Sequence, residues 1–234
     1  ELMRAIIGAD PIRSGEIILE GKKIQNRSPH EAMEHGIVLV PEDRKLQGIL
    51  SNLDISDNIN ISMLDKNSNS LGFVDAKKEE KIAEDGIKNF KIKTPSAKKK
   101  IVELSGGNQQ KCIVARWIST NPKVLILDEP TSALSTDKAG QLHQVVKELS
   151  DKGVAVIYIS HKLDEIKLVS DRILLLRNGQ NAGACDPDEI TTQELIGMMG
   201  GEMTRRERGE DPTAADTSER KATAKKRKGR GKYK

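Results

Sequence analysis

In Lys123-Val124-Leu125-Ile126-Leu127-Asp128-Glu129, four apolar residues run straight into two carboxylates. Such a run reads as a buried parallel strand, and acids at its carboxyl end stand where open α/β sheets bind ligands. Beside a phosphoryl group, Asp128 would help hold Mg2+ and Glu129 would polarise the attacking water. A helix cap or a solvated acidic turn is the competing reading of the same two residues. A second signal is Leu104-Ser105-Gly106-Gly107-Asn108-Gln109-Gln110, at the opening of a helical stretch. Its glycines let the backbone approach a ligand, and Ser105 with the free amides of a helix start suits phosphate oxygens. Alone, such a triplet is an ordinary turn. His161 is the third signal, 32 residues after Glu129 and at the end of the next apolar run. A lone histidine there is usually structural, but an imidazole one strand beyond an acid pair could contact a γ-phosphate and orient water.

The elements that must position these groups are legible as patterns. Residues 1–7 read as the end of a helix stopped at Gly8, before Asp10-Pro11. Gly15 to Ile24 reads as a hairpin pivoting at Glu20-Gly21. Ser28-Pro29-His30-Glu31 is a helix start, with serine as cap and proline in the first turn. Ile37–Val40 is a short strand ending at Pro41. From about Asp54 to Ala115 the pattern turns lysine-rich and helical, broken at Asn67-Ser68-Asn69-Ser70, which is expected to be flexible. Strands at Val124–Leu127, Val154–Ile159 and Ile173–Leu176 then alternate with helices at Asp137–Leu149, where Leu142, Val145, Val146 and Leu149 share a face, and about Leu163–Val169. That alternation predicts an α/β fold with a parallel sheet covered on both faces.

The chain has 234 residues, net charge +4, 32% charged and 36% hydrophobic residues, the composition of a globular domain. Residues 204–234 hold 12 basic and 5 acidic side chains, leaving 27 and 30 for the rest. The basic character therefore belongs to the tail. The last 15 residues carry nine Lys or Arg and no acid, which predicts disorder. Aromatics are 2%, which argues against a reader of single-stranded nucleic acid. No apolar run approaches the roughly 20 residues a membrane helix needs. Cys112 and Cys185 are too few for a disulfide framework or metal cluster, as expected in a reducing cytosol.

Taken together, these residues resemble the nucleotide-binding domain of an ABC transporter. Leu104–Gln110 is similar to the family's signature motif, Val124–Glu129 to its Walker B strand, Ser132-Ala133-Leu134-Ser135 to the D-loop and His161 to the switch histidine. The likeness covers about residues 1–200. Leu-Ser-Gly-Gly-Asn-Gln-Gln-Lys, Ala115-Arg116-Trp117 and Pro41-Glu42-Asp43-Arg44-Lys45 resemble the branch that imports monosaccharides of the ribose, galactose and xylose type. Its ATPase fuses two such domains. Residues 1 to about 130 are most like the second half, and Thr131 to about Asn178 more like the first.

The resemblance implies a P-loop NTPase-like fold: a truncated core with a hairpin over 1–53, a helical subdomain over 54–116, a RecA-like core over 117–203 and a basic tail over 204–234. It implies ATP and Mg2+ as cofactors, with Asp128 on the metal and Glu129 and His161 catalytic. Ser105, Gly106, Gly107, Gln109 and Glu42 would face nucleotide, Ser105–Gly107 closing on a site carried by a second nucleotide-binding domain. Membrane permease subunits would dock near residues 42–60 at the cytoplasmic face, with a sugar-binding protein as an indirect partner. Glu42 stands where most of the family carry glutamine, and Ser135 where many carry aspartate. The family's phosphate-binding Walker A loop lies upstream of the helix that Glu1-Leu2-Met3 resembles, so these residues alone are expected to bind ATP poorly and hydrolyse it negligibly. Two other readings are an inactive remnant, whose sheet would expose Leu125, Ile157 and Leu175, and a binder of RNA or anionic surfaces through the basic tail.

Overall fold

In the computed structural model, which describes residues 1–132 and 134–199, the run Val124–Asp128 is β4, the middle strand of a parallel sheet. Its neighbours are β3 (Ile37–Val40) and β5 (Ala155–Ile159), in the order β3-β4-β5. The register sets Val40 opposite Leu127 and Asp128 opposite Ile159. Side chains alternate across the sheet, so each strand feeds two cores. Leu125 and Leu127 pack with Val38 and Val40 against α6 (Gly106–Ser119) and α7 (Thr136–Asp151), through Ile113, Val114, Leu142, Val146 and Leu149. Ile126 and Ile37 face the other way, onto Ile7 and Ala32. Ile7 caps α1 (Leu2–Ile6), and Ala32 lies in α2 (Pro29–Glu34). Helices thus cover both faces, as the alternation predicts.

Local chemistry accounts for the smaller pieces. β1 (Ile17–Leu19) and β2 (Lys22–Ile24) pair antiparallel through Glu20 and Gly21, whose φ angles of 51° and 76° suit a type I′ turn. Glu31 N–H donates to Ser28 Oγ at 3.2 Å, capping α2 with Pro29 in its first turn. The helical stretch contains α3 (Ile55–Asn60), α4 (Leu64–Asn67) and α5 (Ala76–Asn89). Its core of Ile55, Ile59, Ile92, Ile101 and Leu104 closes on Cys112 and Ala115 of α6. Helix α6 is therefore wedged between two apolar cores, one on each flank.

Residues 1–159 form one compact unit and those from Ser160 onward a second. The second contains α8 (Leu163–Val169), β6 (Ile173–Arg177), β7 (Gln180–Cys185) and α9 (Thr192–Met198). Ile173, Leu175, Ile190 and Leu195 form its core.

Three expectations need correction. The run at Ile173 is not a further strand of the parallel sheet: β6 pairs antiparallel with β7. Asn178 and Gly179, with φ of 52° and 74°, turn the chain straight back. Leu174 and Leu176 stay exposed, as on the wet face of a hairpin. The segment at Asn67–Ser70 is a built loop: Asn69 Oδ1 accepts the N–H groups of Leu71 and Phe73, each at 3.0 Å, and Ser68 bridges Val74. Leu125 and Leu175 are buried, leaving Ile157 on the edge strand β5 as the exposed member of that trio. The tail at 204–234 lies outside the described residues.

Candidate functional site

The carboxyl edge of the parallel sheet collects the acidic candidates. Asp128 ends β4 half-buried, and Glu129 follows with φ 43°, its N–H donating to Ile159 O at 3.0 Å. A left-handed backbone at a non-glycine residue is strained. Here Glu129 sits between a strand end tied to β5 and buried Pro130 and Thr131. Burial, reinforced by the charge of Glu129, pushes the Asp128 carboxyl above its ordinary range. Glu42 is exposed two residues beyond Val40, just as Glu129 lies two beyond Leu127, so the register brings both acids to one edge.

The raised Asp128 pKa makes a prediction. A carboxyl with a folded pKa above its unfolded value binds protons more tightly when folded. Its favourable contribution is complete below the ordinary carboxylate pKa and is lost as pH rises through the folded one. Asp128→Asn is therefore expected to melt higher than the parent at pH 7, with the gap closing toward pH 3. Paired thermal melts across that range check it, and a lower melting point at pH 7 contradicts it.

Ser105 to Gly107 form the start of α6. Ser105 is the N-cap residue, exposed, and its Oγ accepts from Asn108 Nδ2 at 3.3 Å. A Cβ on Gly106 would lie 2.5 Å from Arg44 Nη2, and one on Gly107 would lie 2.6 Å from Lys138 Cδ. Two cationic side chains therefore lie over the first turn, in space that any larger residue would contest. Gln109 is buried; its amide donates to Ile101 O at 3.3 Å and its Oε1 accepts from Arg44 Nε at 3.5 Å. Arg44 and Lys138 were not singled out from sequence. Arg44 stands two residues past Glu42, but nothing in its spacing shows that it folds back onto a helix 62 residues later. His161 is exposed, the second residue past β5, and belongs to the second unit. Of the D-loop residues, Ser135 is the N-cap residue of α7 and Ala133 lies outside the described residues.

Among the described residues no three His, Cys, Asp or Glu gather as a metal cage. An acid pair of this kind fits Mg2+, which proteins hold through one or two carboxylates while substrate phosphates and water complete the shell. Among the described residues no helix is long and apolar enough to cross a membrane.

Residues 1–132 match the family model described as ABC transporter. The chain belongs to the ABC transporter family. Among the relatives of this ABC chain, the arabinose import ATP-binding protein AraG of Paraburkholderia xenovorans (strain LB400) is 44% identical over 85% of the chain and 39% of its own length. The ribose import ATP-binding protein RbsA of Oceanobacillus iheyensis is 39% identical over 86% of the chain and 40% of its own length. The ABC chain thus spans about two fifths of these relatives. Its fold is shared with solved ATP-binding cassettes. A nucleotide-free cassette from an ABC transporter superposes with TM-score 0.69 at 23% identity, covering 86% of this chain and 79% of that one. A dimeric cassette bound to ADP and phosphate gives TM-score 0.68 at 22% identity, covering 80% and 79%.

Proposed function

We propose that this chain is part of the ATP-binding subunit of an ABC importer and couples ATP hydrolysis to the uptake of a monosaccharide such as arabinose or ribose. The observation that carries the reading is the pairing, within one compact unit, of an acid pair at the carboxyl edge of β4 with the Ser-Gly-Gly start of α6, over which Arg44 and Lys138 lie. The names of the two relatives supply the solute class. Mg2+ neutralises the phosphate charge when bound, and Asp128 is the carboxylate that would hold it. Glu129 accepts a proton from the water aimed at the γ-phosphoryl group, and His161 carries the γ-phosphate-sensing role that the family resemblance implies. Ser105, Gly106 and Gly107 present backbone N–H groups to the phosphates of a nucleotide whose phosphate-binding loop belongs to a second nucleotide-binding domain. Glu42 and Gln109 flank that surface, Gln109 through its hold on Arg44. The partners are two nucleotide-binding domains in contact, permease subunits against residues 42–60, and a sugar-binding protein acting through the permease. The subunit lies peripherally on the cytoplasmic face of the membrane. The subdomain limits at 53, 116 and 203 belong to the same reading, with the helical stretch as the permease-facing part.

Ser105→Arg, introduced at the chromosomal locus, tests this. The long cation would fill the approach to α6, and uptake of radiolabelled arabinose or ribose is expected to fall at least about tenfold, a loss of about 1.4 kcal/mol or more in effective site closure. Uptake of both pentoses at the parental rate would overturn the reading.

A further inference from the structure

A segment that sequence patterning leaves as a plain connection lies along one stripe of α6. Residues Arg44–Gly48 form a single π-helical turn, closed by Ile49 N–H donating to Arg44 O at 2.8 Å. Asp43 caps it, its Oδ1 accepting from Lys45 N–H at 3.0 Å and Leu46 N–H at 3.1 Å. Three residues of α6 meet this turn. Gln109 takes the Arg44 guanidinium, Ile113 packs so closely that a Cβ on Gly48 would lie 2.7 Å from its Cδ1, and Arg116 Nη1 donates to Gly48 O at 2.7 Å. Positions 109, 113 and 116 are spaced by four and three, so they form one helical stripe. The turn is held at its start by Gln109 and at its end, Gly48, by both Ile113 and Arg116.

The end near Arg116 is the unusual one. Arg116 is 6% exposed, and burial pulls its guanidinium pKa down to about 10. Its other contacts are Nε donating to Asn58 O and Nη2 donating to Asn58 Oδ1 at 3.0 Å. No carboxylate is among these partners. Asn58 is fully buried in α3 and turns the remaining valences of its amide on the same segment. Its Oδ1 accepts from Leu50 N–H at 2.9 Å, and its Nδ2 donates to Leu50 O at 3.0 Å and Asp54 O at 2.9 Å. A buried cation without a counter-charge is costly, and it is tolerated when fixed dipoles converge on it. Leu46, at the crest of the turn, is 83% exposed.

We infer that Arg116 and Asn58 are positioning residues that lock residues 44–50 to helix α6, making the exposed Leu46 crest and the Ser105–Gly107 turn two ends of one rigid lever. The use of that lever rests on the proposed function, in which one end meets a permease and the other a nucleotide. The lock itself does not, and hydrogen exchange on the chain without nucleotide or partner tests it separately.

The amides of Ile49 and Leu50 report on the segment, and those of Ile113 and Val114 on the helix. In the parent chain the two groups are expected to open together, with protection that agrees within about threefold and falls in parallel with added denaturant. In Arg116→Lys, which keeps the charge but loses the fork of donors, Ile49 and Leu50 should exchange about tenfold faster or more while Ile113 and Val114 change less than about threefold. A purely structural role for Arg116 would accelerate both groups equally, and that result overturns the proposal. So does unequal opening in the parent chain. Should Arg116→Lys not fold, Gly48→Ala decides. It should release Ile49 and Leu50 by lifting the turn off Ile113, and Ile113→Val, which removes the clashing Cδ1, should restore their protection. Full protection of Ile49 and Leu50 in Gly48→Ala overturns the inference.

Discussion

Glu129→Gln is expected to lower ATP hydrolysis by the assembled transporter by about 10²–10⁴-fold, the usual worth of a positioned general base. Glutamine keeps the size and the backbone demands of glutamate, including φ 43° and the N–H bond to Ile159 O, and loses the basic carboxylate. Stability should therefore stay within about 0.5 kcal/mol of the parent, and nucleotide binding should persist. Steady-state hydrolysis and equilibrium binding on the same preparation separate the two effects. Retained turnover would move the base to another residue. Lost binding with lost turnover would mean that Glu129 acts through the turn it opens, in which its carbonyl accepts from Ser132 N–H at 3.1 Å. The neighbouring Asp128 should then report indirectly, because removing the Glu129 charge takes away one of the two causes that hold its pKa up.

Asn58→Ala should be strongly destabilising, about 3–5 kcal/mol, because it strips oxygen from a buried guanidinium and leaves the Leu50 amide and carbonyl unanswered. For a chain of this size that loss lowers the melting point by about 10 °C. The size of the effect comes from what is orphaned and not from the one asparagine. Asn58→Asp makes the distinction. It keeps an acceptor for Arg116 and supplies the missing counter-charge, but its side chain no longer donates to Leu50 O and Asp54 O. It should cost clearly less than alanine. Equal losses in denaturant unfolding would show that the amide's donor side carries the energy, and a loss below about 1 kcal/mol for alanine would show that water replaces the side chain.

How far the sequence foretold this arrangement depends on the range over which each feature is decided. The Ser28-Pro29 cap, the Glu20-Gly21 turn, the strands read at 37–40, 124–127 and 154–159 and the helix read at 137–149 are settled by neighbours within a few residues, and all were legible to within two residues at each end. The strand end that carries the acid pair was legible too, because four apolar residues followed by two acids favour a buried strand over the competing helix cap or acidic turn. The reading of Ile173–Leu176 went astray for the same local reason. Asn178-Gly179 was present as the hairpin signal, but the alternation of strand and helix before it favoured one more parallel strand. Asn67–Ser70 looked flexible from composition, and the Asn69 side chain builds it instead.

By itself, then, the amino-acid sequence determined the α/β class, the alternation of strand and helix up to about residue 169 and the identity of the chemical groups, since periodicity, capping and turn residues act over short stretches of chain. What only the tertiary structure decided is which of those groups share a place. Register carries Glu42 to the edge that holds Asp128 and Glu129, Arg44 returns to the start of α6, and Asn58 meets Arg116 across 58 residues. Those meetings depend on how apolar faces pack and on which buried donors must find acceptors. Both are properties of the folded chain as a whole, and no window along the sequence contains them.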